Sequence, residues 1–154
     1  MNSEWTIEKA LEKGAEMELT AHNFYTEQAE KAIHPGAKKF LTELAADEKV
    51  HRAKFLQALE NPSAIEIDDV HEDISDLMIS DYLVKITLDS KSDYQQILIY
   101  AAQDEKRAHD FYVQIARKYK GTLLGDMLTS FAKDELRHKY ALEKEYDDVV
   151  LREM

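Results

Sequence analysis

The chain has 154 residues, with 31 Asp and Glu against 20 Lys and Arg, a formal net charge of −11. That length suits one domain with a real core, and the negative balance sets aside nucleic-acid backbones and anionic membrane surfaces as partners. With no Cys at all, this chain can build no disulfide, thiolate zinc site or Fe–S centre.

Only 4 Gly and 2 Pro argue for long helices, so the expected class is all-α. No apolar run approaches the roughly 20 residues of a membrane span, and Met1 to Trp5 lacks the pattern of a signal peptide. No membrane association is expected, and the expected location is cytoplasmic.

A first helix is predicted with Ser3 as its cap and a stripe of Ile7, Leu11, Gly14, Glu18, Ala21, Tyr25, Gln28 and Ala32 at steps of three and four. Glu18 stands where an aliphatic residue belongs, and a buried carboxylate needs a compensating partner. His34-Pro35-Gly36 ends this helix. A second, from about Ala37 to Glu60, carries Ala37, Leu41, Leu44, Glu48, His51, Phe55 and Leu59 on its inner face, and Asn61-Pro62-Ser63 stops it.

From Ala64 to Ser90 the text is less regular and includes an acidic patch at Asp68, Asp69, Glu72, Asp73 and Asp76. It reads as a crossover with a short helix near His71 to Ile86, long enough to return along a whole bundle. The third helix, about Ser92 to Lys120, turns Tyr94, Leu98, Ala101, Glu105, Ala108, Tyr112, Ile115 and Tyr119 inward. The fourth, about Thr122 to Val150, does so with Leu124, Leu128, Phe131, Glu135, His138, Leu142 and Val149. The expected organisation is a single domain over 1–154, with helix pairs at 3–60 and 92–150 and a crossover at 61–91.

The second pair repeats the first at one offset of 87 residues, which carries Glu18 to Glu105, Glu48 to Glu135 and His51 to His138. Glu-x-x-His occurs in both copies, and residues three apart on a helix face the same way, so each carboxylate and imidazole can grip one ion from one side. Four carboxylates and two imidazoles suit two divalent cations, whose charge of +4 offsets the −4 of the acids. Oxygen and nitrogen ligands fit two Fe ions, and Mn or Zn can occupy the same donors. One Glu from each of two helices with Glu-x-x-His from the other two is a known pattern of di-iron and di-manganese carboxylate bundles.

Around these six, Asp47 and Asp134 sit one turn from His51 and His138 and are candidates to hold the other ring N–H of a ligand His. Arg137 is a candidate brace for the carboxylates. Tyr25 and Tyr112, two turns after Glu18 and Glu105, are candidate hydrogen-bond donors or redox side chains, with plain core packing as the alternative. His22 and His109 fall at the edge of their stripes and read as solvent-facing or tyrosine-bonded.

With these residues the sequence resembles the ferritin-like di-iron superfamily, in particular its rubrerythrin and bacterioferritin branches, and Asp134-Glu-Leu-Arg-His138 matches the superfamily's Asp-Glu-x-Arg-His motif. The resemblance implies a ferritin-like left-handed four-helix bundle with a long crossover between helices two and three. It also implies terminal ligands Glu18 and Glu105, bridging ligands Glu48 and Glu135, and ligands His51 and His138. Fe(II) reacting with hydrogen peroxide or dioxygen is the implied activity, as a peroxidase or ferroxidase, with a non-catalytic iron-binding or storage module as the alternative.

Departures narrow this. The Cys-rich rubredoxin module of rubrerythrins has no counterpart here, so an external electron donor is expected. Ala108 stands where rubrerythrins carry an extra Glu. Lys49 replaces the haem-binding Met of bacterioferritins, and the chain ends soon after Val150, where those proteins add a fifth helix, so neither haem nor a large cage is expected. A homodimer or higher homo-oligomer is expected.

Overall fold

The computed structural model of the chain describes residues 5–83, 88 and 92–153. It forms two compact units, 1–76 and 77–154, and each holds one pair of long helices.

In the first unit α1 (Ile7–Lys31) packs along α2 (Pro35–Glu60). The N-cap of α1 is Thr6, whose hydroxyl accepts the Lys9 N–H at 3.2 Å; the expected cap, Ser3, lies outside the described residues. A non-local strap sets the start of α1. Ile74 N–H donates to the Trp5 carbonyl at 3.0 Å, while Ile7 and Glu8 N–H donate to Glu72 and Val70 carbonyls at 3.1 and 2.9 Å. Carbonyls of the later segment thus satisfy two of the amides that a helix start leaves open.

The chain leaves α1 at Ala32 in an extended conformation, and Pro35 opens α2. Pro fits there because its fixed φ suits a helix and its missing N–H would have had no helical partner. The helix therefore begins two residues before the expected Ala37. Ile7, Leu11, Leu41, Leu44 and Phe55 are buried between the two helices, as their periodicity predicts. Gly14 is where they touch most closely: a Cβ there would lie 2.6 Å from Cζ of Phe55.

After α2 the chain makes a 3-10 turn at Pro62–Ile65. The helix expected near 71–86 does not form over the described part, which holds two short 3-10 turns, Ser75–Leu77 and Ile79–Tyr82; residues 84–86 lie outside the described residues. Side chains compete with the helical ladder here. Asp69 accepts the His71 N–H and Asp73 accepts the Ser75 N–H, both at 2.9 Å, and Met78 is left-handed at φ 55°.

In the second unit α3 (Tyr94–Lys118) packs along α4 (Leu123–Glu153). Asp93 and Gln96 form a reciprocal capping box: Gln96 N–H donates to Oδ1 of Asp93 at 2.8 Å, and Asp93 N–H donates to Oε1 of Gln96 at 2.9 Å. The turn into α4 uses Gly121 at φ +89° and Thr122, whose hydroxyl donates to the Tyr119 carbonyl at 2.6 Å and accepts the Gly125 N–H at 3.1 Å. Every position of the predicted α4 stripe is buried. The Tyr94 hydroxyl donates to Oε2 of Glu145 at 3.0 Å, tying the start of α3 to the later part of α4. No helix among the described residues is long and apolar enough to cross a membrane.

Candidate metal centre

Each unit buries one Glu from its first helix and a Glu-x-x-His pair from its second. In the first unit these are Glu18, Glu48 and His51, all between 1% and 3% exposed. In the second they are Glu105, Glu135 and His138, between 1% and 5% exposed. The helical period explains the placement. Glu18 lies one turn beyond Gly14 on the inner face of α1, and Glu48 and His51 continue the Leu41–Leu44 stripe of α2.

Within the first cluster one ligand atom from each residue lies within 4.8 Å of the others. Nδ1 of His51 is 3.5 Å from Oε1 of Glu18 and 4.0 Å from Oε1 of Glu48. The second cluster meets the same 4.8 Å limit, with Nδ1 of His138 3.6 Å from Oε2 of Glu105.

Those spacings test the fit of an ion. Ligand atoms about 2.0–2.2 Å from a common cation lie about 3–4 Å apart, wider than a normal N–H···O hydrogen bond of about 2.9 Å. The three separations, 3.5, 4.0 and 3.6 Å, fall in that range. The donor set, two carboxylates and one imidazole per cluster, is that of a divalent first-row metal. Each unit therefore presents a buried, metal-capable Glu-Glu-His cluster.

The remaining predicted residues are placed as follows. Asp47 is exposed on α2. Asp134 is half-buried on α4 and ion-paired with Arg137, whose side chain is exposed. Tyr25 and Tyr112 are both buried: Tyr25 meets Phe24 edge-on at 5.5 Å between ring centroids, and Tyr112 meets Phe131 edge-on at 6.2 Å.

His22 departs from its expected setting. It is half-buried, and its Nδ1 lies 2.8 Å from the Ala45 carbonyl of α2. A carbonyl oxygen only accepts, so this ring nitrogen carries the proton. The cross-helix partner depends on how α1 and α2 are rotated about their axes, and periodicity along one helix does not give that.

Among known families, the rubrerythrin model matches residues 3–74, spanning the first helix pair and the segment after it. The expected likeness to the rubrerythrin branch of the ferritin-like superfamily is thus shown in that part of the chain. Among solved structures, a hypothetical protein from Pyrococcus furiosus matches with a TM-score of 0.74 at 22% identity, covering 97% of this chain and 94% of that one. At this identity the likeness shows the fold, an all-α four-helix bundle. A comparison with curated proteins finds no match.

Proposed function

We propose that this protein is a di-iron carboxylate oxidoreductase that reacts with hydrogen peroxide or dioxygen. One observation supports the reading above others: a rubrerythrin-type helix pair carries a buried Glu-Glu-His cluster, and the second pair carries another at the same repeat positions. Glu18, Glu48 and His51, with Glu105, Glu135 and His138, would hold two iron ions, which supply electrons to the oxidant by passing from Fe(II) to Fe(III).

The chain's own part is to position and to shield. Four carboxylates and two imidazoles, each at most 5% exposed, present donors whose negative charge two bound divalent cations would neutralise. Tyr25 and Tyr112, two turns from Glu18 and Glu105 and sealed by aromatic neighbours, are proposed to keep water from the ligand level and to donate hydrogen bonds or electrons there. Asp134, with Arg137 paired to it, and Asp47 are proposed to orient ligand imidazoles. An external electron donor is part of this proposal, since these 154 residues offer no Cys for an Fe–S centre.

Anaerobic loading should take up two Fe(II) per chain, and stopped-flow mixing with peroxide or dioxygen should then give Fe(III) absorption within one turnover. Glu48→Ala and Glu135→Ala should each abolish it. Uptake of two ions followed by no reaction with either oxidant would overturn the enzyme reading in favour of iron storage.

A further inference from the structure

We infer that His22 is a positioning residue for the Glu18–Glu48–His51 cluster, and that the two metal-capable clusters are for this reason unequal. The inference rests on the di-metal reading above and deepens it.

His22 follows Glu18 by one turn on α1, and Ala45, whose carbonyl it meets at 2.8 Å, precedes Glu48 by three residues on α2. The bond therefore ties the two ligand-bearing helices one turn from their ligands. A fixed tie at that distance limits how far α1 slides or rotates against α2, and so how far Glu18 moves from Glu48 and His51.

At the repeat position in the second unit stands His109, and Ala45 is matched by Ala132, so the same tie is available from the residue types. It is not used. Nδ1 of His109 lies 3.0 Å from Oδ1 of Asp110, its own neighbour on α3. Two exchanges across the repeat account for the difference. Asp110 replaces Asn23, offering the imidazole a charged acceptor, and Lys106 replaces Leu19, donating to both oxygens of Asp110 at 2.7 and 2.8 Å and holding that carboxylate in place. A cross-helix tie that the second unit does make, Tyr94 to Glu145, lies about three turns from Glu105.

A preorganised ligand set binds with less ordering cost than a looser one. The first cluster should therefore take the first ion, and loss of the His22 tie should weaken that step by up to about ten-fold, the lower end of what removing a ligand's own hydrogen-bond partner costs.

The test is an anaerobic Co(II) titration of the full chain, followed by visible absorption. Wild type should load two ions, the first more tightly. His22→Phe, which keeps a ring and loses the donor, should lower the affinity of the first ion by up to about ten-fold and leave the second unchanged. His22→Asn, whose amide N–H stands near the place of Nδ1, should restore the first step in part, and His109→Phe should alter neither step. His22→Phe with two wild-type steps, or with both steps weakened alike, would overturn the assignment while leaving the di-metal reading in place. Wild type that binds no Co(II) would overturn both.

Discussion

The two helix pairs carry the same candidate ligands on the same stripes, but they solve the packing and the bracing around those residues differently. In the first unit Gly14 on α1 admits the ring of Phe55 from α2; at the repeat positions the second unit has Ala101 and Leu142, also buried. A smaller residue on one helix goes with a larger one on the other, so the summed volume is nearly conserved while each element changes. The candidate ligands Glu18, Glu48 and His51 and their repeats Glu105, Glu135 and His138 are unchanged over the same interval. Core packing tolerates compensated exchange of volume, whereas coordination requires particular atoms at particular places.

That comparison can be broken at Gly14. Replacing it with Ala puts a methyl 2.6 Å from the fully buried Phe55 ring, so the ring or a helix must shift. Overpacking of this kind costs about 1–3 kcal/mol, against a gain of about 1 kcal/mol in helix propensity. Gly14→Ala should therefore destabilise by up to about 2 kcal/mol in urea unfolding, and Phe55→Leu alone by about 1–2 kcal/mol through the cavity it leaves. The double variant, which imports the second unit's pair, should recover most of the loss. Additive losses would show that the exchange is not compensated.

A smaller effect separates bracing near the ligands from bracing far from them. Tyr94→Phe removes the hydroxyl that donates to Glu145 at 3.0 Å. The expected cost is about 1 kcal/mol of stability, with Co(II) affinity unchanged, because the lost bond lies about three turns from Glu105. His22→Phe should show the opposite balance. A Tyr94→Phe variant that binds Co(II) as weakly as His22→Phe would remove the distinction.

What was legible beforehand follows the same division. The six candidate ligands stand out because they interrupt apolar stripes, and most positions on the predicted stripes of α3 and α4 are buried. At the end of α2, Leu59 was expected inside, yet Ala58 is buried and Leu59 only half-buried. Features set by distant partners were not readable. The start of α1 depends on backbone bonds to residues 70–74, some 65 positions on, and the crossover's 3-10 turns depend on Asp69 and Asp73 taking amides that a helix would have used. His22 and His109 looked equivalent, because Asn23 against Asp110 carries no weight until the helices are side by side.

The finest test concerns that last difference and uses pH. Partial burial works to raise the Asp110 pKa, but the hydrogen bond from Lys106, with His109 beside it, outweighs burial and holds the carboxyl below its ordinary 3.8. A carboxylate held more acidic in the folded chain than in the unfolded one adds stability above the unfolded value, and that contribution disappears as pH falls through the folded one. Asp110→Asn should therefore lower stability by about 0.5 kcal/mol at pH 6, a small figure because the pair is partly solvated. The difference from wild type should shrink steadily below pH 4. The first unit has Asn23 at this position, so Asn23→Ala should give a difference that does not vary with pH over the same range. If Asp110→Asn also gave a pH-independent difference, Asp110 would not be acting as a charged acceptor, and the explanation for why His109 leaves the Ala132 carbonyl alone would lose its cause.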